Sequence, residues 1–253
     1  MKIARFTSGG SDPQFGIIDD DELVVLTGDP MFSGFETTEE RVPIAEAKLL
    51  APVIPRSKVV CITANYPDDP EAEPGDRPVF TIKPNTTVVG PGDPIRIPPM
   101  QGRVAHEGEL AIVIGAVAKK VRAEDAEAVI FGYTIATDVT AIDELLADGQ
   151  ADRAKGYDTF CPVGPVIETE LDPRGVDIIT TVDREVRRSG NTRDMIFGIP
   201  DLVEYVSNVF TLLPGDLILT GSPAGFGEFV AGQTVEVQIG GIGRLVNPAR
   251  LRD

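Results

Sequence analysis

Glu107 and Glu109 stand two residues apart at the head of an apolar run, Leu110-Ala-Ile-Val-Ile-Gly115. On a strand, residues i and i+2 point to one face. Two carboxylates then lie side by side, which is costly unless a cation sits between them. A third acid, Asp138, ends the next apolar stretch, Tyr133 to Val139, once the chain has returned. Three carboxylates converging from two strands make a hard oxygen site suited to Mg²⁺, Mn²⁺ or Ca²⁺. Glu-x-Glu alone is a weak sign of such a site, and a solvated strand end is the alternative. The single histidine, His106, adjoins the pair. Strand alternation turns it away from the face that Glu107 and Glu109 share, unless a bulge intervenes. Cys61 and Cys161 lie a hundred residues apart, without zinc or thioredoxin spacing. They read as small packed side chains.

The elements that must position these acids are mostly strands. Residues 1–52 form a small β-rich module: Lys2 to Phe6, Phe15 to Ile18 and Leu23 to Leu26 read as strands, and Val42 to Leu50 as a short helix. Pro52 and Pro55 then punctuate the chain. Residues 53–253 form the second unit. Val59 to Ile62, Val79 to Ile82, Glu109 to Ile114, Tyr133 to Val139, Leu217 to Thr220 and Thr234 to Ile239 read as strands. Ile178 to Val182 and the segment around Val186 suggest a hairpin. Helices are expected over Ala123 to Ile130 (closed by Gly132), Ile142 to Ala147 and Pro200 to Phe210. Strands outnumber helices and do not alternate with them. The fold class is therefore α+β, predominantly β and mixed, not a doubly wound parallel sheet.

Composition narrows the partners. The 253 residues can bury a sizeable core without disulfides. Forty Asp and Glu face 23 Lys and Arg, a net charge of -17. That field repels phosphate backbones, so nucleic acid is not expected as a partner. No apolar run approaches the roughly 18 residues of a membrane span, and no signal-peptide core opens the chain, so no membrane is expected and the cytoplasm is the default. The acids are spread along the chain and Lys is scarce beside Arg. This pattern reads as a surface tuned for high salt, against the plainer reading of a mildly acidic protein.

Further blocks accompany the acids: Asn65-Tyr66, Phe80-Thr-Ile-Lys-Pro84, Val89-Gly-Pro-Gly-Asp-Pro94, Gly132-Tyr-Thr-Ile-Ala-Thr-Asp138, Lys155-Gly-Tyr-Asp-Thr-Phe160, Gly190-Asn-Thr-Arg-Asp-Met-Ile-Phe197, Leu213-Pro-Gly-Asp216 and Thr220-Gly-Ser-Pro-Ala-Gly225. In this order they resemble the fumarylacetoacetate hydrolase family over roughly Lys58 to Pro248. Residues 1–52 look like the small N-terminal module of some members. The resemblance implies a mixed β-sandwich roll, usually homodimeric. It implies a divalent cation, Mg²⁺ or else Mn²⁺ or Ca²⁺, on Glu107, Glu109 and Asp138, and a 2-oxo or β-diketo acid as substrate. The reactions it implies are C–C hydrolysis, decarboxylation, hydration or dehydration, and keto–enol isomerisation. Lys155 maps onto a pocket lysine with a catalytic role, and Lys83 is a second candidate for charge near the substrate. Tyr66, Gly221 and Ser222 map onto substrate-contacting positions.

The chain departs from the family's hydrolytic pattern at four places. The His that follows Asn-Tyr-x-x is Asp69, and the Glu three residues later is Ala72. The Arg four residues after the metal Asp is Ile142, and the next Gln is Leu145. A base pair that activates water is thus missing, with Asp69 the first substitute and Glu71 or Glu73 others if the loop register shifts. The leading expectation is a metal-dependent hydrolase or lyase acting through an enolate. The alternatives are an oxaloacetate decarboxylase or tautomerase, a 2-oxo acid hydratase or dehydratase, and a catalytically silent metal-binding homologue.

The acidity carries a test. If repulsion at net charge -17 opposes folding, screening relieves it. Thermal unfolding from low to molar KCl should show a rising midpoint, by roughly 2–4 °C per kcal/mol gained. A flat response would mean that the acidity is incidental.

Overall fold

The computed structural model describes residues 1–67, 75–99, 102–223 and 227–252. Among them the chain builds two mixed sheets. The larger has thirteen strands. Its centre is Cys161–Glu168, Ile130–Ala141, Val104–Ile114, Leu217–Leu219 and Val59–Thr63, in that spatial order, with Val79–Lys83 at one edge. The first strand, Lys2–Ser8, pairs with Cys161–Glu168 through Lys2↔Glu168 and Ile3↔Ile167, so residues 1–52 extend this same sheet. The smaller sheet runs Glu185–Asn191, Asp177–Val182, Thr234–Ile239, Gly243–Leu251 and Ile95–Ile97. Most pairings are antiparallel. Leu217–Leu219 with Val59–Thr63 and Gly243–Leu251 with Ile95–Ile97 are parallel.

Val104–Ile114 is buried on both faces, which is why its second half is continuously apolar. Leu110 and Ile112 pack with Ile135 and with Ile178, Val237 and Ile239 of the smaller sheet. The helix Ile199–Val209 buries Leu202, Val203 and Val206 in this core. On the other face Ala111 and Val113 pack with Val59, Cys61, Ala136, Cys161, Val163, Leu217 and Leu219. Both cysteines are free, buried members of this second cluster, and burial raises their thiol pKa values, that of Cys161 to about 12.

Two expected helices form differently. Val42 to Leu50 is strand Thr37–Pro43, a single 3-10 turn Ile44–Glu46, and strand Ala47–Leu50. The last of these pairs with the first strand from Arg5↔Leu50 to Ser8↔Ala47, so a ladder overrides the helix propensity of Glu-Ala-Lys. Ala123–Val129 is a 3-10 helix, and Gly132 lies inside the following strand instead of closing a helix. There a Cβ would meet the Glu168 carbonyl oxygen at 2.7 Å. The Ile178–Val182 hairpin and the Pro200 helix form as expected.

Gly108, between the two glutamates, is where the sheets approach most tightly. A Cβ there would stand 2.3 Å from Thr180 Oγ1 and 2.8 Å from Val237 Cγ1. Gly108→Ala should therefore force the sheets apart and cost about 1–3 kcal/mol, the usual range for overpacking. Urea unfolding would show it as a lowered midpoint at unchanged slope. An unchanged midpoint would contradict the close packing.

Candidate metal centre

Register brings the acids together. Glu107 pairs directly with Asp138, and Glu109 with Ala136. Carboxylate oxygens of Glu107, Glu109 and Asp138 lie within 4.8 Å of one another. Glu109 and Asp138 are each 1% exposed, and Glu107 is half-buried. The cluster shares its face of the strand with Ala111 and Val113, so apolar core closes it from behind.

Two lysines answer the charge. Lys155 ends the short helix Asp152–Lys155. Its Nζ donates to Glu107 Oε2 at 2.9 Å and to Asp138 Oδ2. Lys83, at the end of the edge strand Val79–Lys83, is fully buried. Its Nζ donates to the carbonyls of Val139, Lys155 and Phe160 at 2.9, 2.7 and 2.9 Å. An ammonium has three N–H bonds, so none is left for a substrate. The same Nζ stands 2.8 Å from Asp138 Oδ1, an ion pair by distance, yet that oxygen receives no hydrogen bond. Lys83 thus supports Asp138 at ion-pair distance.

Gly221 and Asn65 complete the frame. Thr220 N–H and Oγ1 both donate to the Leu110 carbonyl at 3.0 Å, which locks this segment to the central strand. The next residue, Gly221, then donates its N–H to Glu109 Oε2 at 2.6 Å. That N–H, expected on a substrate oxygen, is engaged with a glutamate. Asn65 is buried and clamps the neighbouring segments. Its Nδ2 donates to Thr220 O at 2.8 Å and Phe197 O at 3.1 Å, and its Oδ1 accepts from Phe197 N–H at 2.8 Å. The sequence reading missed this role, although a polar residue capping an apolar strand was a usable signal.

The other candidates fall into place around the cluster or outside the described residues. Tyr66 is 5% exposed and its hydroxyl has no hydrogen-bond partner. Burial raises its pKa, and the Glu109 charge adds to this. Ser222 Oγ is 3.5 Å from Glu107 Oε1, too long for a strong hydrogen bond. Asp69, Ala72, Glu71 and Glu73 lie outside the described residues. Ile142 is buried and Leu145 packs on the core cluster that holds Val139 and Ala141, so neither offers a polar group. His106 points to the opposite face, buried beside Phe229 with both ring nitrogens unpartnered. Burial, with help from Arg188 and Arg187, lowers its pKa to about 4, so it is neutral near pH 7.

The electrostatics divide the acids. Burial raises the Glu109 pKa well above the usual carboxylate range, and Asp138 and Glu107 push it further. For Asp138, burial acts upward, but Lys155 and Lys83 outweigh it and the net shift is down. Burial acts downward on Lys155 and is outweighed by Asp138 and Glu107, so its pKa rises well above normal. An all-oxygen, anionic, largely dry set with a donor-free Asp138 Oδ1 fits a hard divalent cation.

Residues 58–250 match the family described as fumarylacetoacetate (FAA) hydrolase C-terminal. The chain belongs to the fumarylacetoacetate hydrolase family. Residues 1–52 match the module described as Rv2993c-like, N-terminal. A 5-carboxymethyl-2-hydroxymuconate delta-isomerase from Mycobacterium smegmatis is 42% identical, with TM-score 0.94 over 100% of both chains. The human mitochondrial oxaloacetate tautomerase FAHD2A is 39% identical over 220 residues, 81% of this chain and 70% of its own. A maleylpyruvate hydrolase from Sphingobium sp. SYK-6, solved in complex with manganese(II) ion and pyruvate, is 31% identical, with TM-score 0.84 over 100% of both chains. The mixed-β fold expected from the sequence is that of these structures. Among the described residues no helix is long and apolar enough to cross a membrane.

The raised Glu109 pKa gives a signed test. Below that pKa the carboxyl carries a proton, which a cation must displace. Mn²⁺ affinity by calorimetry should therefore rise with pH, and binding should release protons, seen as a buffer-dependent enthalpy. Glu109→Gln should weaken binding by more than about 100-fold, beyond the usual 10- to 100-fold of a supporting residue. Equal Mn²⁺ binding by wild type and Glu109→Gln would remove the site.

Proposed function

We propose that this chain is a divalent-metal-dependent enzyme acting on a 2-oxo acid by enolate chemistry, with proton transfer such as keto–enol isomerisation favoured over C–C hydrolysis. The observation that carries it is the joint placement of Glu107, Glu109, Asp138 and Lys155 in one half-open cluster. The manganese and pyruvate recorded for the Sphingobium hydrolase support both the ion and the substrate class.

Glu107, Glu109 and Asp138 would hold the ion. A cation there supplies Lewis-acid stabilisation of negative charge developing on a carbonyl oxygen. The chain's own groups do the rest. With all three carboxylates ionised, as a bound cation requires, they and the two ammonium groups carry a formal charge of one negative. A divalent ion reverses it to one positive, which suits an anionic substrate. Lys155 stays protonated and keeps Asp138 ionised. The unpartnered Tyr66 hydroxyl and the loosely held Ser222 hydroxyl are the groups free to meet substrate oxygens. Ile142 and Leu145 favour a distal substrate group without charge.

The choice within the family rests on what does not reach the cluster. Hydrolysis needs a base to deprotonate the attacking water, a contribution worth about 10²–10⁴ in rate. The sole histidine lies on the other face of the strand. Enolisation needs no activated water, although its Cα proton must still pass to a carboxylate such as Asp69, and decarboxylation needs neither, since the electrons of the breaking C–C bond flow onto the carbonyl. Asp69 is the first proposed substitute base, with Glu71 or Glu73 the others, and a carboxylate of ordinary pKa is a weak base. The metal-dependent hydrolase or lyase reading is the second choice. It is supported by the hydrolase relative.

Purified protein with Mg²⁺ or Mn²⁺ should interconvert the keto and enol forms of oxaloacetate. Cleavage of acylpyruvates should be slower by about 10²–10⁴, the contribution of a general base. Chelation with EDTA should abolish both. Rapid acylpyruvate cleavage at neutral pH, insensitive to Asp69→Asn, would overturn the choice of proton transfer and show another base at work.

A further inference from the structure

Where residues 1–52 meet the rest of the chain, a small cleft of about 240 Å³ opens, lined by Arg5, Phe32, Arg56 and the Pro214–Gly215 turn among others. None of its lining residues belongs to the carboxylate cluster. Its polar content is unusual for so acidic a chain. Arg5 and Arg56 both line it, and among the described residues neither guanidinium has a carboxylate oxygen within salt-bridge distance. Arg5 is half-buried, and its hydrogen bond is one long contact, Nη1 to the Ala51 carbonyl at 3.4 Å. Arg56 lies over the Phe32 ring, 4.2 Å from its centroid. Stacking of this kind fixes the plane of the guanidinium and leaves its N–H edge open. Asp29 is the acid of the cleft, and its Oδ1 is taken by the Met31 N–H at 3.0 Å.

Charged groups withdrawn from water are normally paired. Lys58, Lys83 and Lys155 each have a carboxylate within 3 Å. Arg5 does not. Burial lowers its pKa somewhat, with Asp29 opposing, yet a guanidinium cannot give up its proton near neutrality. The charge stays, and Asp29 answers it only from beyond salt-bridge distance, which leaves a place for a counter-ion from outside. We propose that this cleft binds a compact dianion, a phosphate or a small dicarboxylate, gripped by the Arg5 and Arg56 forks. Two planar N–H forks match the paired oxygens of either ligand. The volume is below the roughly 300–1,000 Å³ of pockets for drug-sized ligands, so the ligand is small. The protein's long-range negative field opposes entry, but it is screened beyond about 8 Å at physiological salt.

Calorimetry on the full chain tests this, in EDTA and at ionic strength fixed with KCl. Inorganic phosphate is one arm and malonate the other. Saturable binding of at least one is expected, and the tighter one names the source. Arg56→Gln, at an exposed position, should weaken it at least tenfold. Arg5→Gln combined with Arg56→Gln should abolish it, with the unliganded unfolding midpoint checking that the variants fold. Glu109→Gln should leave it unchanged. No saturable binding of either anion, full binding by a folded Arg56→Gln, or loss in Glu109→Gln would overturn the proposal. The last result would place the anion at the carboxylate cluster instead.

Discussion

Glu107 and Asp138 face each other across a single register step, with Glu109 beside them, and the fold must answer that repulsion. The answer comes from separate parts of the chain. Lys155 arrives from a short helix and bonds Glu107 and Asp138. Lys83 arrives from the edge strand and stands behind Asp138. Gly221 brings one backbone N–H to Glu109. Each acid is compensated differently, which is why their pKa values separate: Asp138 is pushed down and Glu109 up. Buried charges held by one side alone are strongly destabilising. The lysines are therefore structural requirements of the acids before they are anything else.

The same constraint shapes the surroundings. A strand carrying charge at one end and core at the other must be buried on both faces to keep its alternation unambiguous. Here the outer face meets the smaller sheet so closely that any side chain between the glutamates would push Thr180 and Val237 aside. That contact fixes the pleat, and the pleat sends Glu107 and Glu109 one way and His106 the other. A one-residue slip would exchange them. The absence of a histidine base at the cluster is thus a consequence of register, not of distance along the chain.

The acids were legible in the sequence because period-2 alternation is local. Glu107, Glu109 and the opposite aim of His106 follow from it directly. Asp138 followed from an apolar run of the right length. The large mixed-β architecture was legible for the same reason. The functions of Lys83, Gly221 and Asn65 were not, because they depend on pairings over 56, 112 and 155 residues. Lys83 read as a second source of positive charge for the substrate, since nothing local shows that three carbonyls saturate it. Val42 to Leu50 read as helix because Glu-Ala-Lys favours one locally, while the strand that captures it lies at the other end of the module. Local signals placed the chemistry, and long-range pairing decided its partners.

Charge also links the proposed reaction to the residues that are missing. An active site holding three acids, two lysines and a divalent ion carries its own electrostatic stabilisation for a substrate that becomes more negative at its carbonyl oxygen. Such preorganised charge is commonly the largest contribution to a rate enhancement. An enolisation draws on it for the charge on the carbonyl oxygen, and needs besides only an acceptor for the Cα proton. A C–C hydrolysis draws on it too, but must also generate a nucleophile, and that step needs the base pair that Asp69 and Ala72 replace. On the proposed reading, loss of the pair weighs against the hydrolytic branch of the family's chemistry more than against the shared enolate step. Ile142 and Leu145 fit the same direction. An arginine at the first position would have clamped a second anionic group. With two packed apolar residues there instead, recognition in the proposed reaction falls back on the carboxylate and carbonyl of the 2-oxo acid, and the enolate forms across that carbonyl and the adjoining carbon.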